Sequence, residues 1–374
     1  MVASVYDSDS YDSNSYDSNS YDSNDNGNSH DGKAAAVRPL LAVEDLAVRF
    51  DTEGGTVQAV NGLSFSLRRG RTLAVVGESG SGKSATGLAI LGLHDRRRAR
   101  ISGRVEFDGV DLAGLGERGL AAYRGSRIAM VFQDALTALS PYHTIERQLT
   151  DAYRRRTGAG RRAARTRAVE MLARVGIPDP ARRVAEYPHE FSGGMRQRVM
   201  IAMALMGEPD LVIADEPTTA LDVTVQAQIL DLLAGLQAES GLALLLITHD
   251  LGVVSGVAHD VLVMYAGRGV EQGPAAEVLA APEHPYTVGL LRSVPTLKGD
   301  PDADLTPIAG SPPDLLDPPP GCAFHPRCDQ RERVGGDRCA TEVPAFVPLA
   351  DPERLRACHL ASGALEALEG SVIR

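Results

Sequence analysis

The chain has 374 residues, of which 43% are hydrophobic and 23% are charged, so its length allows one large domain or two moderate ones with a proper core. Its formal net charge is −11, but residues 1–33 hold seven Asp against one Lys, so the remainder is only mildly acidic and gives no electrostatic case for a nucleic-acid partner. No apolar run reaches the roughly 18 residues that a membrane span needs, and no secretory signal opens the sequence, so we expect a cytoplasmic protein.

A low-complexity repeat comes first. Residues 5–24 repeat a five-residue unit with Tyr at positions 6, 11, 16 and 21, and apart from Val5 this segment has no aliphatic side chain. Burial of so little apolar surface does not offset the entropy of ordering a chain. We therefore predict a disordered tail over residues 1–38, to which we assign no function.

Alternating and apolar patterns then predict a mixed α/β fold. Residues 41–50 and 56–67 alternate as strands do, on either side of a Gly-Gly turn signal, which predicts an antiparallel segment. Residues 72–76 form a short apolar run of the buried-strand type, and residues 84–93 follow as a helix. Further strands are predicted at 105–107, 128–132, 211–214, 243–247 and 261–265, with a mostly helical stretch at 142–206.

A phosphate-binding loop joins the strand at 72–76 to the following helix. Residues 77–84 read GESGSGKS and match G-x-x-x-x-G-K-[ST] in the strand–loop–helix context that this motif requires. Its glycines let backbone N–H groups point at phosphate oxygens, while Lys83 is predicted to reach the β- and γ-phosphates and Ser84 to bind Mg²⁺. The predicted nucleotide-binding residues here are Gly77, Ser79, Gly80, Ser81, Gly82, Lys83 and Ser84.

Two carboxylates end a later apolar strand. Residues 211–217 read LVIADEP, and a carboxylate at the C-terminal edge of such a strand faces the nucleotide crevice. We predict that Asp215 holds Mg²⁺ through water. Glu216, one residue on, is predicted to act as the base that polarises the attacking water.

A second glycine-rich helix start lies between these two motifs. Residues 191–198 read FSGGMRQR, and their Ser192, Gly193 and Gly194 precede a helical segment at 195–205. The serine and glycines are therefore predicted to form an anion-binding helix start. A phosphate loop, an Asp-Glu strand and this Ser-Gly-Gly-x-x-Gln-Arg element in one chain resemble ABC-type ATPases. The element departs from the family pattern at Phe191, where Leu is more usual.

This resemblance implies a fold and further catalytic residues. The fold is an α/β, ABC-type P-loop ATPase core with a RecA-like sheet and an antiparallel β segment over residues 39–298, into which a helical subdomain is inserted at about 134–206. Gln133 is implied to lie near Mg²⁺ and the attacking water, and His249 to contact the γ-phosphate. Together with Glu216 they are the implied catalytic residues.

The Ser-Gly-Gly-x-x-Gln-Arg element at residues 191–198, called the signature element below, is implied to act on ATP held by another subunit. In ABC ATPases the residues that match Ser192, Gly193 and Gly194 close over the γ-phosphate bound to the other subunit, in a head-to-tail dimer with ATP at the interface. Asp222 is implied to lie in the loop that crosses this interface. Phe50 is implied to stack on adenine, although a Phe in a strand is also typical of a core.

Four passages narrow the resemblance to the ATPases of bacterial oligopeptide and dipeptide importers, which are also related to nickel importers. These passages are residues 131–141, 191–198, 284–287 (HPYT) and 321–328 (GCAFHPRC). The first departs from the family at Ala135, where Pro is common.

The narrower resemblance implies a role and partners. The chain is implied to be an ATPase at the cytoplasmic side of the cell membrane that energises peptide import. Its implied partners are a second, similar but distinct ATPase subunit, two membrane-spanning permeases and an extracytoplasmic binding protein. Helices after Gln133, including residues 144–147, are implied to form the groove for a permease coupling helix.

Pro-rich sequence from about residue 299 predicts a linker into a small C-terminal module, residues 299–374. Its four cysteines are separated by 5, 10 and 18 residues, so spacing alone leaves reduced thiols in a small core as an alternative to a metal site. The resemblance implies a [4Fe–4S] cluster, and tetrahedral zinc with His325 or His359 as substitute ligands is the alternative. The cysteines are Cys322, Cys328, Cys339 and Cys358.

Other functions stay open from the sequence. Nickel or another small solute is an alternative cargo, because nothing in an ATPase subunit contacts cargo. ABC proteins of translation or DNA repair usually have two cassettes or a long coiled coil, whereas this sequence has one cassette and no sustained heptads. A binding module that has lost catalysis is disfavoured because Lys83, Glu216, His249 and the signature element are intact.

Overall fold

The structure is a computed structural model that describes residues 38–219, 221–293 and 307–365. The predicted disordered tail, residues 1–38, lies outside the described residues apart from Arg38. In chain order the strands are β1 (Leu41–Thr52), β2 (Gly55–Leu67), β3 (Thr72–Val76), β4 (Ala99–Phe107), β5 (Val110–Asp111), β6 (Ile128–Val131), β7 (Leu211–Asp215), β8 (Ala243–Thr248), β9 (Asp260–Tyr265), β10 (Arg268–Pro274), β11 (Val347–Pro348) and β12 (Leu355–Arg356). The α-helices are α1 (Lys83–Ile90), α2 (Glu117–Tyr123), α3 (Ala135–Ala138), α4 (Ile145–Thr157), α5 (Arg161–Arg174), α6 (Pro180–Arg183), α7 (Gly193–Leu205), α8 (Val223–Ser240), α9 (Leu251–Val257), α10 (Ala275–Ala280), α11 (Pro285–Arg292) and α12 (Arg338–Thr341).

The larger sheet is the centre of the fold. Its strands run in the order β11-β12-β10-β9-β3-β8-β7-β6, and β6, β7, β8, β3 and β9 pair in parallel. β3, β7 and β8 are buried along their whole length, as a sheet covered on both faces requires. The predicted α/β core is therefore confirmed, and the carboxyl ends of its parallel strands meet at one edge.

The smaller sheet is antiparallel, as predicted, with the strand order β2-β1-β4-β5. Its apolar side chains form a core with α1 and one face of the larger sheet, in which Val48, Leu63 and Phe107 are fully buried or nearly so. The predicted strand at 105–107 in fact begins at Ala99, because residues 100–104 pair with β1 while their side chains stay exposed. Such a segment has no buried face and so no alternating pattern to detect.

A helical insertion follows β6, with helices α3 to α7 between Ala135 and Leu205, while its limits as a subdomain at about 134–206 stay a prediction. Its longer helices α4, α5 and α7 pack against one another around buried Leu149, Leu172 and Met200. Thr144 caps α4 by accepting a hydrogen bond from the Arg147 backbone N–H, and Gly158 ends the helix in the left-handed conformation. None of the helices in the described residues is both long and apolar enough to cross a membrane.

The C-terminal residues 307–365 extend the larger sheet. β12 pairs with β10 through Leu355 and Gln272, and β11 pairs with β12. Phe324 packs on Tyr265 of β9, with ring centroids 5.2 Å apart. The C-terminal segment is therefore joined to the ATPase core by backbone pairing and by an aromatic contact, while the domain limits at residues 298 and 299 stay a prediction.

Candidate nucleotide site

The loop between β3 and α1 requires glycine at two positions. Gly77 has φ +152° and Gly82 has φ +98°, a conformation that side chains rarely adopt. A Cβ at Gly77 would lie 2.2 Å from the carbonyl oxygen of Met264, and one at Gly82 would lie 2.2 Å from that of Ala59. Neighbouring backbone therefore holds this loop tightly in the curled shape that presents N–H groups to an anion.

Lys83 begins α1 and points back under the loop. Its ammonium donates hydrogen bonds to the carbonyl oxygens of Gly77 (2.7 Å) and Glu78 (2.9 Å), and its side chain is buried. Burial lowers the pKa of Lys83, while the carboxylates of Glu216 and Asp215 act in the opposite direction. The structure thus places one cation between the loop and both predicted carboxylates.

Ser84 and Asp215 are brought together across the end of β7. The Ser84 hydroxyl donates to Asp215 Oδ1 over 2.8 Å. Burial raises the pKa of Asp215, an effect that the hydrogen bond from Ser84 partly offsets. A hydroxyl and a carboxylate oxygen at this spacing are ligands of the kind that Mg²⁺ prefers.

The Glu216 carboxylate is the centre of a small polar cluster. Its Oε2 accepts hydrogen bonds from Gln133 Nε2 (3.0 Å) and from the Thr219 hydroxyl (2.8 Å), while its Oε1 lies 3.2 Å from His249 Nδ1. The backbone of Glu216 has φ +45°, and its N–H donates to the Ile247 carbonyl. The three predicted catalytic residues are therefore in mutual reach, and Thr219 is a fourth member that the sequence did not single out.

The signature element forms a second glycine-rich helix start, at α7. Ser192 is the N-cap of α7, where its hydroxyl accepts from the Met195 N–H, and both Ser192 and Gly193 are exposed. Asp222 caps α8 in the same way through the Val225 N–H. A Cβ at Gly194 would lie 2.6 Å from a methyl group of Val225, so glycine lets these two helix starts approach closely.

Phe50 lies in β1 of the smaller sheet, whereas the predicted carboxylates follow β7 of the larger sheet. Its ring is half-buried and meets the ring of His94 edge-on, with centroids 5.1 Å apart. It also packs against the core under the smaller sheet. The half-exposed ring keeps one part available, and its predicted contact with adenine stays a prediction.

The four cysteines line one small cavity of about 10 Å³ between α11 and the C-terminal segment. His325 and His359 line the same cavity. Burial raises the pKa of the four thiols, to about 11 for Cys322 and about 12 for Cys328. In the part of the chain that the structure describes, no three His, Cys, Asp or Glu side chains stand close enough to hold a metal ion as they are.

The sequence missed one set of contacts to the phosphate loop. The carboxylate of Glu78 forms a two-pronged ion pair with Arg327 of the C-terminal segment, and the Glu78 backbone N–H donates to the Tyr286 hydroxyl. Arg327 is 249 residues away from Glu78 in the sequence. No local pattern signals a contact over that separation, so only the folded arrangement reveals it.

Fold and site together define a phosphate-loop ATPase of the ATP-binding cassette class. The described features are a parallel sheet with a phosphate loop after β3, an Asp-Glu pair at the end of β7 and a glycine-rich helix start at α7. The family model for ABC transporters matches residues 60–219, and the model for the oligopeptide/dipeptide transporter C-terminal region matches residues 270–334. The chain belongs to the ABC transporter family, and it is an ATPase.

Named relatives and a solved structure agree with this assignment. The chain is 53% identical to the dipeptide transport ATP-binding protein DppD of Bacillus subtilis, over 78% of this chain and 87% of that protein. It is 50% identical to the oligopeptide transport ATP-binding protein OppD of Salmonella typhimurium, over 85% of this chain and 93% of that protein. The dimeric post-hydrolysis structure of the ATP-binding cassette MJ0796 bound to ADP and Pi has a TM-score of 0.57 and 26% identity, covering 63% of this chain and 99% of that one.

Proposed function

We propose that this chain is the ATP-hydrolysing subunit of an importer of dipeptides or oligopeptides, positioned at the cytoplasmic face of the cell membrane. The proposal of ATP hydrolysis rests on one observation: Gln133 and Thr219 donate hydrogen bonds to the Glu216 carboxylate, and His249 Nδ1 lies at hydrogen-bond distance from it. Support for the cargo comes from the relatives, which are named for dipeptide and oligopeptide transport, and from the match to the C-terminal region of such transporters.

The phosphate loop is proposed to bind the triphosphate. Lys83 Nζ now contacts two carbonyl oxygens of its own loop, and the β- and γ-phosphates would take those contacts over. Gly77, Ser79, Gly80, Ser81 and Gly82 supply the backbone around the phosphates. Mg²⁺, when bound, neutralises charge on the phosphate oxygens, and Ser84, Asp215 and Gln133 are the residues that would hold it.

Glu216 is proposed as the base that polarises the attacking water. Oε2 accepts from both Gln133 and Thr219, whereas Oε1 has one neighbour, His249 Nδ1 at 3.2 Å, so Oε1 is proposed as the oxygen that accepts a proton from water. His249 is 60% exposed and so faces the open edge of the sheet, where the γ-phosphate would lie. The adenine is proposed to rest on the exposed part of Phe50.

The signature residues are proposed to complete the site of a second ATPase subunit. Ser192 and Gly193 are exposed, and the Ser192 hydroxyl accepts a hydrogen bond from the N–H of Met195 in its own helix. Such a helix start suits an anion that another subunit supplies. MJ0796 was solved as a dimer with ADP and Pi. We propose a head-to-tail dimer in which Asp222 lies at the interface, with a similar but distinct chain as the second subunit.

A groove beside α4 is proposed to receive a permease. A cavity of about 590 Å³ lies between the end of α1 and α2 on one side and α4 and α7 on the other, lined by apolar Leu93, Phe132, Tyr153 and Met203. Phe132 is 41% exposed, so its ring is accessible from the groove. An amphipathic helix from a membrane-spanning subunit fits such a groove, and an extracytoplasmic binding protein would deliver the peptide to that subunit.

The cysteine cavity is proposed to hold a [4Fe–4S] cluster. Four half-buried cysteines around one cavity supply the four thiols that such a cluster requires, and a cation there would lower the cost of ionising them away from water. A volume of about 10 Å³ holds roughly one water-sized sphere, so the thiols would have to move apart for a cluster. That volume favours a single zinc ion as the alternative, with His325 or His359 as substitute ligands.

Uptake by cells tests the proposed cargo. A strain that lacks this chain is given the wild type, Lys83→Met, or the control Glu239→Gln, whose exposed side chain lies at the end of α8. We expect the wild type and the control to restore uptake of labelled dipeptide or oligopeptide and Lys83→Met to restore none. Uptake of nickel alone would replace peptide as cargo, and no Lys83-dependent uptake of any solute would favour a non-transport ABC ATPase.

A further inference from the structure

The Arg327 guanidinium is fully occupied by contacts around the phosphate loop. Its Nε donates to the Ala309 carbonyl, Nη1 to Glu78 and the Tyr265 hydroxyl, and Nη2 to Glu78 and the Ile308 carbonyl. These five acceptors match the five N–H donors of an arginine. The side chain is 5% exposed, and the two ion-pair distances are 2.7 and 3.1 Å.

Glu78, the partner of Arg327, is held on three sides. Its carboxylate binds Arg327, its N–H donates to Tyr286 over 2.8 Å, and its carbonyl oxygen accepts from Lys83 over 2.9 Å. Lys83 is the residue predicted to reach the β- and γ-phosphates. A single residue, Glu78, therefore links Arg327 of the C-terminal segment to Lys83: its side chain binds the arginine and its backbone carbonyl binds the lysine.

The residues around Arg327 are held by hydrogen bonds and by aromatic packing. Arg327 ends the 3₁₀ turn His325–Arg327, which lies between Cys322 and Cys328 and whose backbone is closed by hydrogen bonds at both ends. The aromatic rings of Tyr265, Tyr286 and Phe324 pack together behind it, with centroids 4.6 to 5.4 Å apart. A well-packed arginine that reaches a functional loop differs from a surface ion pair, which contributes little.

We propose that Arg327 is a positioning residue of the nucleotide site: through Glu78 it holds the phosphate loop in the shape that binds ATP. The C-terminal segment is thereby part of the ATPase site, in addition to any role of its cysteines. The inference rests on the phosphate-binding role proposed for residues 77–84. It goes beyond that role because it assigns part of the ATP affinity to a residue outside the motif.

The chain offers a closely matched control for Arg327. Arg356 is also a buried arginine of the C-terminal segment, 8% exposed, and it pairs with Glu283 over 3.2 Å. It also donates to the carbonyl oxygens of Leu360 and Ala361, as Arg327 does to those of its neighbours. Arg356 makes no hydrogen bond to residues 77–84 among the contacts of the described residues, so its loss changes stability without touching the loop.

The test is calorimetric binding of Mg²⁺–ADP to the full-length chain, together with the KM for ATP, for Arg327→Met, Arg356→Met and Glu78→Gln. Hydrogen bonds to charged groups are worth enough that we expect Arg327→Met to weaken nucleotide binding about tenfold or more, chiefly in Kd and KM. Arg356→Met is expected to lower the melting temperature yet keep Kd within about twofold. Arg327→Lys should recover part of the affinity, because it keeps the charge but not the fork.

A double variant separates positioning from general stability. If Arg327 acts through Glu78, adding Glu78→Gln to Arg327→Met should weaken binding no further than Arg327→Met alone. An Arg327→Met protein that melts earlier but binds Mg²⁺–ADP with the wild-type Kd would overturn the proposal. If that variant does not fold, Glu78→Gln alone decides, since unchanged binding there has the same meaning. Unchanged binding in Lys83→Met would instead refute the phosphate-loop role itself.

Discussion

Replacement of Glu216 by Gln is the sharpest change to the catalytic cluster. Gln133 and Thr219 both donate to Oε2, which the amide oxygen of Gln reproduces. The new amide nitrogen takes the place of Oε1, and the exposed His249 ring can accept from it once the ring proton moves from Nδ1 to Nε2. The variant therefore keeps the shape and hydrogen bonds of the cluster, and we expect its free energy of unfolding to change by less than about 1 kcal/mol. What it loses is the basic oxygen.

The loss of a general base typically lowers turnover by about 10² to 10⁴-fold, which corresponds to about 3–5 kcal/mol of activation free energy. Thr219→Ala removes one hydrogen bond but leaves the base, so it should lower turnover by only about five- to tenfold. The assay is phosphate release at saturating ATP, with nucleotide binding measured in parallel. Glu216→Gln should bind ATP as the wild type does, and Glu239→Gln is the control for a neutralised exposed carboxylate. Turnover of Glu216→Gln within tenfold of the wild type would refute the assignment of the base.

Three further changes test the phosphate loop, the buried His284 and the cysteine cavity. Gly82→Ala places a Cβ 2.2 Å from the Ala59 carbonyl oxygen, so it should cost about 1–3 kcal/mol in unfolding free energy and abolish ATP binding. The control Gly235→Ala, in α8 outside the phosphate loop, would place a Cβ with nothing within 4 Å and should retain binding; equal losses in denaturation and binding assays would contradict this. Burial lowers the pKa of His284 from 6.5 to about 3, so the unfolded state binds the proton more readily. The free energy of unfolding should therefore fall by about 1.4 kcal/mol per pH unit below about pH 6.5. Denaturant titrations of His284→Asn should show a flatter pH dependence of stability, and the same pH dependence as the wild type would contradict the buried neutral ring. Cys328→Ser should bleach the brown colour expected of anaerobically purified protein, and colourless wild type with one zinc per chain in elemental analysis would contradict the cluster.

Most of the catalytic site was predictable from the sequence because its residues follow apolar strands directly. Lys83, Asp215 and Glu216 lie in motifs at the ends of β3 and β7, and parallel strands bring such ends to one edge. Gln133 and His249 also follow strands, but their assignment came from the resemblance to ABC ATPases; the structure brings both to the Glu216 carboxylate. Their roles in catalysis stay predictions.

What escaped the sequence depends on contacts between distant segments or on segments without a buried face. Residues 100–104 of β4 are exposed and show no alternation, and β10 follows a turn in which Ala266 has φ +48°, a conformation that composition does not reveal. The pair of Glu78 and Arg327 joins a motif to a segment that looked like a separate module. Spacing also did not indicate that four scattered cysteines would line one cavity.

In the proposed dimer two chains enclose each ATP, with the phosphate loop of one chain facing the signature element of the other. The direct measurement is the mass in solution of Glu216→Gln with and without ATP, alone and mixed with its cognate ATPase partner, beside a Ser192→Arg form of the same variant. We expect ATP to raise the mass from that of one 39.6 kDa chain to that of a two-chain particle, and Ser192→Arg to prevent this change. A protein that stays at the mass of one chain with ATP bound, while the wild type turns over fully under the same conditions, would contradict it.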